Sequence, residues 1–462
     1  MTAHIPYLPA EIHRIIAEYV HREDLPSYRL VNRQLCDMAT EELFSTIVFH
    51  YSTASIDRLK RLGWNARLRG QVKNIFWDVN QWSVGNVRDF HEWEQYFTQI
   101  AQLDRWRNAN YDSSGYTQLS QNRREWEAYL DRVADERKAR VDRDSLQVLE
   151  RFYNLHSIHI VNGDLFLAHR GLQKVAEDCP NASFGPVVFR RGFETYSLRN
   201  MPGIETLLIP EEYCKSSLKE LTLNTVHFKC FAPLTSSNFD NLSSLDITIF
   251  PRTFRDRYLD TQWVVLMIKG FRRFLASSTR LECLRIDLNH EKAEPNSYDV
   301  VLSIDQVFDN KHTWSTLRTL SLCHFSATPD TLLSFLGRHS STLKDLRLHN
   351  ISWIVDNGDE RGEPEQRFYA PSASVRHCAW PRVLQEMRKS LSLDHATVTG
   401  KLGENRHMRG WRLHEKDDEL AAAVSDYLVR GGQCPLTADN ADFDPESDPE
   451  SDTDSKREGS AA

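Results

Sequence analysis

The sequence predicts an α/β repeat protein: a short N-terminal three-helix module, then an irregular solenoid of strand, loop and helix units, interrupted by a helical insertion. Three observations carry this expectation. A Leu-x-x-Leu-x-Leu pattern recurs between residues 204 and 348, helical apolar periodicity fills the longer gaps between its copies, and three short amphipathic segments occupy residues 8–44.

Composition sets the bounds. At 462 residues the chain is too long for one ordinary core, and 40% apolar with 26% charged residues is the make-up of a folded body. A formal net charge of -8 argues against a nucleic-acid surface as the main business, so no nucleic-acid partner is expected. Pro6, Pro9, Glu11 and Glu18 interrupt what an export signal would keep apolar, and the best apolar run, Trp263 to Ile268, stops at Lys269 and Gly270. No membrane partner is expected either. The cysteines, Cys36, Cys179, Cys214, Cys230, Cys283, Cys323, Cys378 and Cys434, form no CxxC pair, which fits reduced thiols in the cytoplasm or nucleus and argues against structural zinc.

The first helix should start at Leu8-Pro9-Ala10-Glu11, where Pro9 suits a first turn and Glu11 faces the positive end of the helix dipole. Ile12, Ile15, Ile16, Tyr19 and Val20 then recur at helical spacing. Asp24 is placed to cap a second helix carrying Leu25, Tyr28, Leu30 and Val31, with Pro26 tolerated in its first turn. Leu35, Met38, Ala39, Leu43 and Phe44 mark a third, and Thr46 to Phe49 turns β-like. A unit this small buries too little surface for comfortable independence and should lean on a partner or on the following body.

Leu8-Pro9, Glu11-Ile12, Ile15-Ile16, Asp24-Leu25 and Leu30-Val31, followed by Asn32-Arg33, resemble the F-box family in its fungal form, over about a tenth of the chain. The resemblance implies a module that binds a Skp-type adaptor and through it a cullin, with Leu8, Pro9, Ile12, Ile16, Leu25, Leu30 and Val31 as the contacts. It also implies no catalysis in this chain, because ubiquitin is moved elsewhere in such an assembly.

Val72 to Trp77 alternates well enough for a strand, with Trp77 packed. Between Trp93 and Arg143, charged runs flank Trp126, Tyr129, Leu130 and Val133 at helical spacing; acids interleave with the bases, so the expectation is a solvated helical insertion.

The repeat hexads begin at Ile204, Leu218, Leu242, Leu281, Leu317 and Leu343, with a weaker copy at Leu155; neighbouring starts from Ile204 onward lie 14, 24, 39, 36 and 26 residues apart. The pattern is that of leucine-rich repeats, irregularly spaced, so the expected body is a leucine-rich-repeat-like solenoid. Helical stretches from Trp263 to Leu275 and Thr331 to Leu336 would back the strands. Residues between the inward leucines should line the opposite face of the sheet and hold a protein target of unknown identity: Glu220, Asp246, Arg285, Asp287, Asp345, Arg347 and His349.

Val383, Leu384, Met387 and Leu391 suggest a late helix, Leu393 to Val398 a last strand, and Glu419 to Val429 a closing helix stopped by Gly431-Gly432. From Thr437 onward, Asp, Glu, Ser and Pro dominate, which predicts a disordered acidic tail. The expected division is 1–50 F-box, 51–145 linker strand and helical insertion, 146–400 repeat body, 401–433 capping helix region and 434–462 tail.

Phosphate-loop, zinc-protease and nucleophile-elbow motifs do not occur. His377-Cys378 and Cys323-His324 are read as packed neighbours pointing to opposite faces, poor nucleophile-base couples. The expectation is therefore a substrate-recognition adaptor of an SCF-type cullin-RING ubiquitin ligase, without catalytic residues, metal or cofactor. The competing expectation is a non-catalytic repeat scaffold whose F-box-like helices pack internally.

Overall fold

The computed structural model describes residues 8–21, 24–50, 52–78, isolated positions between 127 and 139, then 147–161, 218–226, 228–232, 239–249, 261–288, 302–309, 313–353, 379–402, 411–414 and 418–437. The hexad at Ile204, most of the expected insertion, the His377-Cys378 pair and the tail beyond Thr437 lie outside the described residues, whereas 434–437, expected as the start of a disordered tail, are ordered with Leu436 buried. The chain divides into two compact units, Met1–Thr225 and Val226–Ala462.

The first unit opens with three helices: α1 (Ala10–Tyr19), α2 (Leu25–Tyr28) and α3 (Arg33–Ser45). Pro26 sits in the first turn of α2, where no intrahelical donor is lost. Asn32 caps α3, its side-chain oxygen accepting from the Leu35 amide at 2.9 Å. Arg14 of α1 and Lys73 both reach the Glu41 carboxylate, each at 3.0 Å, so one acid ties the first helix to the third and to the approach of a later strand.

Next come β1 (Thr46–His50), α4 (Thr53–Trp64), β2 (Asn74–Asp78), a 3-10 turn at Val148–Arg151, β3 (Ser157–Val161) and β4 (Glu220–Val226). The four strands pair in parallel, with Ile47, Ile75, Ile158 and Leu221 in one register row. Phe49, Trp77, Ile160 and Leu223 form the next inward row. All eight side chains are at or below 5% exposed. Alternation along each strand is what sends these two rows to one face.

In the second unit the chain runs β5 (Ser244–Ile249), α5 (Thr261–Ser277), β6 (Cys283–Asp287), α6 (Ile304–Val307), β7 (Thr319–Cys323), β8 (Ser326–Ala327), α7 (Pro329–Gly337), β9 (Asp345–His349), β10 (Ser352–Trp353), α8 (Ala379–Ser390), β11 (His395–Leu402), β12 (Trp411–Leu413) and α9 (Glu419–Arg430). Strands β5, β6, β7, β9 and β11 pair in parallel in that order, β12 closes antiparallel on β11, and β8 and β10 form a separate short parallel pair.

The hexads explain this register. Their fourth positions, Leu245, Leu284, Leu320 and Leu346, stack in one row continued by Ala396; their sixth, Ile247, Ile286, Leu322 and Leu348, stack in another continued by Val398. Every one of these is 8% exposed or less. At about 1.5–3 kcal/mol for each fully buried large aliphatic side chain, a slip of one residue would send a whole row to water, so the pattern holds the pairing. Helix α5 presents Met267, Ile268, Phe271, Phe274 and Leu275 as its buried side, with Phe231 packed on Phe271 at 4.6 Å between ring centroids. Gly270 faces the Phe231 carbonyl so closely that any side chain there would overlap it. Helix α7 begins with Pro329 and a capping box between Thr328 and Thr331.

Three neighbouring strands, β7, β9 and β11, turn through the same corner, after which β11 continues to pair with β12. Cys323, His349 and Thr399 share a register row, and the residue after each, His324, Asn350 and Gly400, has φ of 63°, 50° and 87°. Backbone bonds carry the ladder through this corner, from the His324 amide to the His349 carbonyl at 2.8 Å and from the Asn350 amide to the Thr399 carbonyl at 3.1 Å. Among the described residues, no helix is long and apolar enough to cross a membrane.

Candidate interaction surfaces

Two surfaces collect the residues singled out by the sequence. On the first, α1 meets the rest of its unit through Ala17, which is 1% exposed, with His13 and Val20 half-buried beside it. Its aliphatic side lies elsewhere. Ile12, Ile15, Ile16 and Tyr19 recur at i, i+3, i+4 and i+7, and at about 100° per residue they centre roughly 150° around the helix from Ala17. They are 41%, 49%, 37% and 84% exposed. Leu8 and Pro9 are exposed at the head of the helix, and Leu30 and Val31, in the α2–α3 connection, are exposed as well. Leu25 differs from the other expected contacts: it is 2% exposed and belongs to the module's own core.

Partial burial pushes the Glu41 carboxyl up, but the hydrogen bond and charge of Lys73 and the charge of Arg14 outweigh it and hold the group below its ordinary value. Ionised Glu41 thus keeps α1 fixed on α3 with the aliphatic side turned out.

The second surface is the sheet face opposite the leucine rows of the second unit. One register row runs Asp246, Arg285, Ser321, Arg347, Thr397; the next runs Thr248, Asp287, Cys323, His349, Thr399. Arg285 approaches Asp246 at 3.8 Å across adjacent strands and Arg347 approaches Asp345 at 3.6 Å along its own strand. The structure therefore brings Asp246, Arg285, Asp287, Asp345, Arg347 and His349 onto one face. Glu220 belongs to the first unit, exposed on β4 in a row with Ser157, Asn74 and Thr46.

At the strand ends this face holds a polar chain that sequence reasoning missed. His324 Nδ1 donates to Asp287 Oδ1 at 2.8 Å; Asn350 Nδ2 donates to His324 Nε2 at 3.0 Å and to His349 Nε2 at 2.8 Å; His349 Nδ1 and Thr399 Oγ1 are 2.9 Å apart. The Asp287 carboxylate can only accept, so a proton sits on His324 Nδ1, and Nε2 faces the Asn350 amide. His324 is not a strand neighbour of Cys323 turned to the opposite face, as expected from alternation: β7 ends at Cys323 and the left-handed corner aims the imidazole at Asp287. The available signal was the recurrence of His324, Asn350 and Gly400 two residues beyond a sixth-position aliphatic or its counterpart Val398, residue types tolerant of positive φ or requiring it.

Burial pushes the Cys283 thiol above its ordinary value, against the pull of Arg285, so it remains a protonated thiol and a poor nucleophile. Among the described residues, no group of three or more His, Cys, Asp or Glu is placed to hold a metal ion. Past the β11 edge, Thr397, Thr399, His414, Asp418, Glu419 and Ser425 line a groove of about 480 Å³. Asp418 shapes its wall by capping α9, accepting from the amides of Leu420 at 2.9 Å and Ala421 at 3.2 Å.

In comparison with known proteins, no family model matches the chain and no curated protein matches its sequence.

Proposed function

We propose that this chain is a non-enzymatic substrate-recognition adaptor of an SCF-type cullin-RING ubiquitin ligase, working in the cytoplasm or nucleus. In this reading residues 8–44 are an F-box that docks on a Skp-type adaptor and through it on a cullin, and a leucine-rich-repeat-like body holds a protein target.

The observation that carries the reading is the outward aliphatic side of α1. Ile12, Ile15 and Ile16 leave between 37% and 49% of their surface in water although the helix has a second side already packed on its own unit. Scattered exposed leucines need no explanation, but four large apolar residues at one helical spacing form the kind of patch that marks a protein interface. The competing scaffold reading needs that side to be covered by the chain itself. The body's part of the proposal is supported by the in-register parallel strands and by the mixed polar face, whose carboxylates, guanidinium groups and imidazoles suit a polypeptide ligand.

The test is co-purification. Leu8→Asp with Ile16→Asp should abolish capture of a Skp-type adaptor while circular dichroism and melting of the full chain stay close to wild type. Capture undiminished by the double variant, or no capture by the wild type, overturns the proposal and leaves the scaffold reading.

A further inference from the structure

The first unit carries another surface of opposite chemistry. From Arg58 to Lys73 the chain places six cations and no carboxylate, within a protein of formal net charge -8. Arg67 pairs with Asp37 at 2.6 Å and Lys73 with Glu41 at 3.0 Å. Arg58 donates to the Val48 carbonyl at 2.6 Å and Arg61 to the Asp57 carbonyl at 3.4 Å, with the Asp57 carboxylate one turn before it on the same helix. Among the described residues, no salt bridge engages Lys60, Arg61, Arg69 or Arg151.

An aromatic platform sits in the middle of these cations. Trp64 ends α4 and is 67% exposed. The Arg151 guanidinium lies 3.5 Å from the centre of its ring. A guanidinium stacked on an aromatic face keeps N–H donors with which it can pair a carboxylate in two-pronged fashion. Lys60 and Arg61 lie four and three residues before Trp64, one helical turn away on the same side. The chain after Arg151 is fixed to the loop after α4 by the Asn154 side chain, which donates to the Gly70 carbonyl at 2.7 Å.

We propose that this surface docks a short acidic peptide segment of a partner protein, with carboxylates on Arg61, Arg69 and the Arg151 edge and an apolar or aromatic side chain against Trp64. A few-residue ligand experiences only the local positive field, because charges further than a Debye length away are screened. A long nucleic acid would extend beyond the patch over a chain whose net charge repels it, and it needs a continuous basic stripe. The site lies on α4 and the 148–154 segment rather than on the aliphatic side of α1, so it holds or fails independently of the adaptor reading.

The full chain is titrated into a fluorescein-labelled peptide, Gly-Asp-Glu-Asp-Phe-Asp-Glu-Asp-Gly, into its Asn/Gln counterpart and into a single-stranded oligouridine, with anisotropy as the readout. Saturable binding of the acidic peptide that weakens with salt is expected, reduced about tenfold by Arg61→Glu with Arg69→Glu and by Trp64→Ala, and unchanged by Lys389→Glu. Arg151→Lys keeps the charge but loses the flat stacked fork and should weaken binding too. Melting curves check folding, and the Gln pair at 61 and 69 supplies the same comparison should the charge reversal unfold the protein. Equal binding of the neutral peptide, no response to the Arg61 and Arg69 variants, or tighter binding of the oligouridine would overturn the proposal.

Discussion

Leu25 and Ile16 are aliphatic residues of the same helical module, yet their truncation should be felt in different measurements. Leu25 is 2% exposed and Ile16 is 37% exposed. A filled interior site loses about 2–5 kcal/mol when leucine is cut to alanine, because the cavity adds to the lost transfer energy. Leu25→Ala should therefore cost about 3 kcal/mol, a large part of what so small a module holds. Ile16 leaves no closed cavity and keeps over a third of its surface in water, so Ile16→Ala should cost the fold only about 1 kcal/mol. In the docking proposed for this module the order reverses. An aliphatic anchor at the centre of an interface contributes about 2 kcal/mol, close to thirtyfold in affinity, and only Ile16 has surface to give. Amide exchange of α1 to α3 reads the first effect, and calorimetric titration with a Skp-type adaptor reads the second. Should Ile16→Ala lose as much exchange protection as Leu25→Ala, the aliphatic side of α1 is packed in solution and the reasoning fails.

Three further outcomes follow from the geometry. Gly270→Ala would gain about 1 kcal/mol in helix propensity, but the new Cβ overlaps the Phe231 carbonyl, which belongs to backbone and cannot swing aside; a net loss of about 1–3 kcal/mol, seen as a lower melting temperature, is expected. Asn350→Gly keeps the left-handed corner and loses the two imidazole contacts, whereas Asn350→Ala loses both, so chemical denaturation should rank alanine below glycine by about 1 kcal/mol. Glu41 is held below its ordinary value of 4.5, so its pairs with Lys73 and Arg14 stabilise the first unit at neutral pH and are lost as pH falls through that lowered value. Amide exchange in α1 and α3 should rise in that acid range, and Glu41→Gln should remove the step.

The strands were legible because alternation is a strong signal when both inward positions of a hexad must be apolar. Leu284 and Ile286, or Leu346 and Leu348, can be placed on one face by counting. The spacing placed helical turns around Ile12 to Tyr19, Leu25 to Tyr28 and Leu35 to Phe44. But Asp24 makes no side-chain cap bond, α2 stops at Tyr28 so that Leu30 and Val31 fall in the connection, and the cap that forms is Asn32 on α3. Spacing alone does not say which aliphatic residue turns inward, however. Leu25 and Ile16 read alike in the sequence, and only the seating of α1 through Ala17 separates them. The chain from Asp287 to Thr399 was out of reach for a different reason. It joins four strands spread over more than a hundred positions, and its members become neighbours only through the register. The Trp64–Arg151 stack is likewise assembled across a long stretch of sequence.

The left-handed corner shared by His324, Asn350 and Gly400 closes the last three parallel rungs of the second unit in one way. At these three rungs the turn is set locally by backbone handedness, so neighbouring turns stay aligned without side chains having to enforce it.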